Sequence, residues 1–338
     1  MTKIAVMGAG SIGCYVGGRL AAAGAAVVLI GRERLARELA AHGLTVTDYR
    51  GYSATLGSGR FTYATTAAAA AHADLVLVTV KSAGTAGAAQ ELAGTLRDDA
   101  VVVSLQNGIG NAGTLRASLP AQTVLAGMVP FNVVQRGDGA FHQGTEGELE
   151  VERHARLDAF APAFARAGLP LVQHDDLRPV QWAKLLLNLN NPINALSDLP
   201  LKTQLSQRAY RRCLALAQRE GLDVLAAAGI RPAQLTRVPP HWIPRVLALP
   251  DVLFRVIAAG MLAIDPLARS SMWEDLQAQR ATEVDWINGE IVALAERIGR
   301  SAPVNARLVA LVHAAEQGGP RRWEGRALLE ALSRGDHA

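Results

Sequence analysis

"KIAVMGAGSIGCYVGGRLAAAGAAVVLIGR", residues 3–32, decides the fold. It opens on a short β-branched and apolar run, turns on glycines, continues as an alanine-rich helix and closes on a second apolar run, "AAVVLI". That is a βαβ unit of about thirty residues. Gly8, Gly10 and Gly13 stand at its strand-to-helix turn in GxGxxG spacing. In a chain with 32 glycines the triplet alone is weak. Between a strand and a helix it gains a mechanism: the first glycine permits a tight turn, the second lets the backbone approach a pyrophosphate, and the third lets helix and strand pack. The backbone from Gly8 through Ala9, Gly10, Ser11 and Ile12 to Gly13 is therefore the expected dinucleotide cradle. The second strand ends in "LIGRER", where an acidic residue would bind a ribose hydroxyl and an arginine would meet a 2′-phosphate. Arg32, with Arg34 nearby and Glu33 between them, points to NADP (NADPH).

Working outward, "DLVLVTV" (74–80), "AVVVSL" (100–105) and "TVLAGMV" (123–129) read as further strands with helices between them. Such alternation predicts a parallel sheet covered on both faces, an α/β fold of the Rossmann-type doubly wound class. From residue 131 glycine turns and polar alternation predict antiparallel strands closing that sheet. After about residue 177 strand signals vanish and helical patterns run to the end. The expected organisation is a dinucleotide-binding domain over 1–175 and an all-helical substrate and catalytic domain over 176–338, since 338 residues are long for one core.

Composition narrows the function classes. A formal charge of +4 without a Lys/Arg run argues against nucleic-acid binding. Two cysteines far apart, Cys14 and Cys213, suggest neither a disulfide framework nor a metal site. The N-terminus turns glycine-rich too early for a secretory signal, and no apolar run reaches spanning length, so a cytoplasmic protein without membrane contact is expected.

Of 34 basic residues only four are lysines, Lys3, Lys81, Lys184 and Lys202. A lysine in apolar text where arginine is the default suggests a need for a proton that can be released. Lys184 opens "KLLLNLNN" (184–191). At roughly 100° per residue, Lys184, Asn188 and Asn191 fall on one narrow helical face, while Asn190 and Asn194 point elsewhere. A polar stripe in such a segment fits a cleft holding a polar ligand, or groups bridging neighbouring helix ends. Further on, Ser270 and Ser271 read as a helix start, with Glu274 completing a capping box from Ser271. Glu283, twelve residues after Ser271, is expected on roughly the same helical side. Asn107 in "SLQNG" (104–108) follows a strand end, where ligands of open α/β sheets bind.

Taken in order, the glycine fingerprint, the lysine after "LVTV", "QNG" (106–108), "WAKLLLN" (182–188), "SSMWED" (270–275) and "TEVDWING" (282–289) resemble the ketopantoate reductase (2-dehydropantoate 2-reductase) family along nearly the whole chain. The resemblance implies a catalytic Lys184 acting as general acid, with Glu283 near it and near the cofactor. It implies that Asn107 and Lys81 attend cofactor and substrate, and that Asn188, Asn191 by a one-residue shift, and Ser271 bind substrate. Two departures stand out. Position 268 is alanine where the family often has an asparagine holding the substrate's far end, and the helix is one residue shorter before its Asn-Pro pair. The implied reaction reduces a small 2-oxo acid, 2-dehydropantoate, to (R)-pantoate in the cleft between the domains, without a metal, in an enzyme that could dimerise through its helical domain. Rival readings are a reductase of another 2-oxo acid on this scaffold, a 3-hydroxyacid type of dehydrogenase, and a non-catalytic NADPH-sensing protein.

Overall fold

In the computed structural model, which describes residues 2–57, 59–257 and 268–333, contacts divide the chain into two units, Met1–Leu177 and Arg178–Ala338. In the first unit β1 (Lys3–Met7) pairs in parallel with β2 (Ala26–Ile30), Lys3 opposite Ala26 through Met7 opposite Ile30. The helix α1 (Ser11–Ala22) joins them. Ile4, Ala5, Val6 and Met7 are all buried with no alternation, because both faces of the strand are covered.

The strands that follow are β3 (Leu44–Asp48), β4 (Ser53–Leu56), β5 (Thr62–Ala64), β6 (Leu75–Val78), β7 (Val101–Ser104), β8 (Thr123–Met128), β9 (Val133–Gly137), β10 (Ala140–Gln143), β11 (Leu149–Glu152) and β12 (Leu171–His174). Six of them join β1 and β2 in one sheet, in the order β12-β11-β8-β7-β6-β1-β2-β5. From β5 to β8 the strands are parallel; β11 returns antiparallel to β8. Strand order reverses at β1, which puts a ligand crevice beyond the carboxyl ends of β1 and β6. Around the sheet lie α2 (Glu33–His42), α3 (Thr85–Ala93), α4 (Asn111–Ser118), α5 (Ala155–Asp158) and α6 (Ala161–Arg166).

The polar alternation after residue 131 closes the main sheet only through β11. The hairpin β9–β10 instead joins a second sheet, β4-β3-β10-β9, with Ala140 opposite Thr45. The sequence reading missed β3, β4 and β5, whose short Thr- and Ser-bearing stretches lack a long apolar run; β3 and β4 pair as a hairpin, and β3 also pairs with the distant β10. Buried Arg19 stitches the layers together. Its Nη1 donates to Tyr15 Oη at 2.7 Å and Asp48 Oδ2 at 3.1 Å, its Nε donates to Ala167 O at 2.9 Å, and its guanidinium lies 3.7 Å from the Tyr52 ring centroid.

The second unit is helical among its described residues: α7 (Arg178–Asn188), α8 (Asn191–Ser197), α9 (Leu201–Leu205), α10 (Arg208–Ala227), α11 (Ile243–Leu247), α12 (Asp251–Ile257), α13 (Ser271–Gln277), α14 (Asn288–Arg297), α15 (Pro303–Glu316) and α16 (Gly325–Ser333). The 20-residue α10 is the central post. Gly221 lets α7 approach it closely, since a Cβ there would come 3.0 Å from Leu186 Cδ2. Fully buried Arg211 on α10 donates to the carbonyls of Leu205, Leu247 and Leu249 and to Asp251 Oδ1, fastening the ends of α9, α11 and α12. No described helix is long and apolar enough to cross a membrane.

Candidate active site

The glycine turn follows β1, and each glycine answers a different constraint. Gly8 has φ +111°, a conformation L side chains rarely adopt, and a Cβ there would collide with the Val80 backbone. Its N–H and that of Ala9 both donate to Ile30 O, at 2.9 and 2.8 Å. A Cβ at Gly13 would overlap Gly8 O and stand 2.6 Å from Thr79 Oγ1, so only glycine lets α1 start this close to the sheet. At Gly10 a Cβ would meet nothing within 4 Å. The helix beyond it has no side-chain cap and no acidic residue in its first turn. Open space in front of an uncapped helix start fits a pyrophosphate, which the first N–H groups can hold.

Past β2, Arg32 is the N-cap residue of α2 and is exposed, its carbonyl oxygen accepting from Tyr63 Oη at 3.0 Å. Its guanidinium has no partner among the described residues. Arg34 pairs with Glu38 at 3.1 Å. Of the two arginines at the end of β2, Arg32 is thus the one available to a ligand.

Thr79 ties the loop after β6 to the glycine turn, donating from Oγ1 to Gly8 O at 2.6 Å. Two residues on, Lys81 is exposed at the start of a 3-10 turn, Ser82–Gly84. Half-buried Asn107 lies in the loop after β7, held through its carbonyl oxygen by Ser82 Oγ (2.9 Å) and Asn111 Nδ2 (2.5 Å). Behind it Gln106 donates to Val80 O (3.0 Å) and Thr85 Oγ1 (2.7 Å) and accepts from Ser104 Oγ (2.9 Å). The structure therefore brings the glycine turn, Lys81 and Asn107 to adjacent strand ends. Sequence reading passed over the buried network of Ser82, Thr85, Gln106 and Asn111 that fixes them. Its signal was a polar residue directly after an apolar strand, as at Thr79 and Gln106.

In the second unit Lys184 is half-buried on α7, and loss of solvent pushes its amine below the ordinary lysine value of 10.5. Asn188 ends the same helix, one turn on. The single continuous helix expected from Lys184 to Asn191 is broken. α7 stops at Asn188 and α8 begins at Asn191, because Pro192 cannot sit inside a helix and takes a place in the first turn of the next one. A strip of half-buried residues nevertheless survives the break: Lys184, Leu187, Asn188 and Asn191 lie between the buried Leu185, Leu186, Leu189 and Asn190. Asn190 and Asn194 turn inward. Asn190 exchanges hydrogen bonds with Gln204 (2.8 and 3.2 Å), and Asn194 donates to Leu199 O (2.9 Å).

Ser271 needs two corrections. The N-cap of α13 is Ser270, whose Oγ accepts from Trp273 N at 3.2 Å, so the capping box from Ser271 to Glu274 does not form and Ser271 is the exposed first helical residue. Glu283 is not on that helix. α13 ends at Gln277, where Gln279 adopts φ +50° and Arg280 N donates back to Asp275 O (2.8 Å), a Schellman-type stop made without glycine. Glu283 instead precedes a 3-10 turn, Val284–Trp286, and is half-buried. Asn191 and Ser271 are brought together through Ser270, whose N–H donates to Asn194 Oδ1 (2.9 Å) and whose Oγ donates to Asn191 O (3.3 Å). No group of three or more metal-ligating side chains comes together among the described residues.

Comparison with known proteins gives a consistent picture. Two family models match, "Ketopantoate reductase PanE/ApbA" over residues 4–156 and its C-terminal counterpart over 176–316. A 2-dehydropantoate 2-reductase of Halobacterium salinarum is 33% identical over 325 residues, covering 94% of this chain and 100% of that protein. The crystal structure of a PanE/ApbA family ketopantoate reductase from Ralstonia eutropha JMP134 superposes with a TM-score of 0.80 at 31% identity, covering 94% of this chain and 99% of that one. D-mandelate dehydrogenase in complex with NADH and anilino(oxo)acetate shares the fold, with a TM-score of 0.75 at 22% identity over 94% and 99% of the two chains.

Proposed function

We propose that this chain, which belongs to the ketopantoate reductase family, reduces 2-dehydropantoate to (R)-pantoate with NADPH, a step of pantothenate and coenzyme A biosynthesis. It is an oxidoreductase acting on a CH–OH group. One observation carries the reading: Lys184 is a lysine in an arginine-dominated chain, half-buried and with its amine below the usual range, in a half-buried strip that runs through Asn188 to Asn191 at the start of the next helix.

When bound, the cofactor supplies a hydride to the keto carbon. The chain's residues do the rest. The N–H groups of the turn from Gly8 to Gly13 and the start of α1 hold the pyrophosphate, and Arg32 meets the 2′-phosphate through charge-assisted hydrogen bonds. Asn107 and Lys81, at the strand ends, orient the nicotinamide and the substrate. As negative charge grows on the keto oxygen, Lys184 Nζ donates its proton to it, both neutralising the alkoxide and completing the hydroxyl. Burial makes the ammonium a stronger acid, and Glu283 opposes that shift and orients the amine. Asn188, Asn191 and Ser271 offer amide and hydroxyl groups to the substrate's carboxylate and hydroxyl.

A second reading keeps the chemistry and changes the substrate. Alanine at 268 offers no polar side chain to a substrate hydroxyl, which favours a 2-oxo acid with a less polar tail. Steady-state rates with NADPH and NADH on 2-dehydropantoate and on branched and aromatic 2-oxo acids test both. The first reading expects the highest kcat/KM for 2-dehydropantoate with NADPH; an aromatic 2-oxo acid reduced faster would replace it with the second. Assembly as a homodimer through the helical unit is also part of the proposal, with Val252 (75% exposed) and Val256 (77% exposed) one turn apart on α12 as a surface to cover. Light scattering at the mass of one 35.7 kDa chain would remove that element.

A further inference from the structure

We propose that His313 is a positioning residue for the loop that carries Glu283, gripping the chain on both sides of that glutamate while its ring is an imidazolium and letting go of one side when it becomes neutral. The inference rests on the reading that Glu283 serves the reaction. His313 lies on α15 with Nδ1 2.9 Å from Glu316 Oε2, one turn along the same helix, and Nε2 2.9 Å from Asp285 Oδ1, on the 3-10 turn after Glu283. The other oxygen of Glu316 accepts from Thr282 N at 2.8 Å, the residue immediately before Glu283. Thr282 Oγ1 in turn accepts from Val284 N at 3.3 Å. One imidazole thus secures Asp285 directly and Thr282 through Glu316, with Glu283 between them.

Chemistry sets the switch. Ionised carboxylates only accept, and a neutral imidazole has one N–H and one lone pair. Both contacts are hydrogen bonds only when both ring nitrogens are protonated. Loss of the proton turns one of them into a lone pair facing a carboxylate oxygen. The elements α8, α10, α14 and α16 also pack against α15, yet among the described residues none gives the ring an ion pair or a hydrogen bond; Glu316 and Asp285 are the charges that face it. Consistent with this geometry, hydrogen bonds from the ring to Glu316 and then Asp285, opposed by burial, hold the imidazolium above the ordinary histidine value of 6.5.

The test combines proton NMR of the His313 ring, assigned among the eight histidines by its loss in His313→Gln, with pH profiles of kcat for 2-dehydropantoate reduction by NADPH. The expected outcome is a ring pKa above 6.5 that falls in Asp285→Asn, and a drop in wild-type kcat of about fivefold centred on that pKa. His313→Lys, which stays charged across the range, is expected to lose the step. A ring pKa at or below 6.5, or a step that persists in His313→Lys, overturns the assignment. Glu283→Gln separates the two levels. Unchanged turnover in that variant defeats the role given to Glu283, whereas impaired turnover in it, with no wild-type step at the ring pKa, defeats the His313 proposal alone.

Discussion

The glycine turn of the first unit and the Lys184–Asn191 segment of the second differ in where their geometry comes from. In the turn, Gly8 is fixed by Ile30 O and the Val80 backbone and Gly13 by Gly8 O and Thr79 Oγ1, while Gly10 faces open space. A site made of main-chain groups follows from spacing. The lysine segment presents side chains, and those depend on where helices stop and on what neighbouring helices demand. Pro192 breaks the helix, and Gln204 holds Asn190 inward, off the Lys184 face. The first region is set by main-chain groups at the ends of paired strands and the second by side chains at helix ends.

Perturbing each region should therefore give different signatures. The largest effect is expected at the second: Lys184→Ala should lower kcat by about 10²- to 10⁴-fold, while NADPH binding, followed by fluorescence, stays within about twofold. Preserved function without turnover in this variant would instead favour the NADPH-sensing alternative. In the turn, Gly13→Val forces Gly8 and Thr79 apart and should destabilise the fold by roughly 1–3 kcal/mol, read as a lower Tm. Gly10→Val has room within the protein, so it should keep its Tm and weaken NADPH binding by about tenfold or more; a Tm drop equal to that of Gly13→Val would mean that Gly10 is there for packing. Arg32→Ser should reduce the preference for NADPH over NADH by about tenfold, measured as the ratio of kcat/KM, with NADH itself little changed.

The smallest expected effect is one of stability. Burial holds the Lys184 amine below its ordinary 10.5, so the ammonium is less favourable in the folded chain than in the unfolded one. That penalty is fully present below the folded pKa and disappears as pH rises through it towards 10.5. Lys184→Met should therefore raise Tm at neutral pH, and the gain should shrink as pH rises towards 10.5. A variant less stable than wild type at pH 7 would show that the amine is held by partners strong enough to outweigh its desolvation.

Legibility followed the same division. β1, β6, β7 and β8 stood out because strands buried on both faces read as unbroken apolar runs. The second sheet did not, because its pairing joins Thr45 to Ala140 across almost a hundred residues and its strands carry polar side chains. Helix ends were the other weak point. Gln279 stops α13 in a left-handed conformation usually marked by glycine, which hid the separation of Glu283 from Ser271. The candidate residues could be picked out by type, as polar groups in apolar text, whereas the contacts that fix their loops, Gln106 to Val80 and Glu316 to Thr282, join residues far apart in the chain.

The central claim is that Lys184 gives the proton that completes a hydride reduction. Rapid mixing of the NADPH-loaded protein with 2-dehydropantoate at pH 7, followed at the reduced-nicotinamide absorbance, tests it in a single turnover. Wild type should consume its bound NADPH and Lys184→Ala, equally loaded, should do so at least about a hundredfold more slowly. Equal rates in the two proteins would contradict the account.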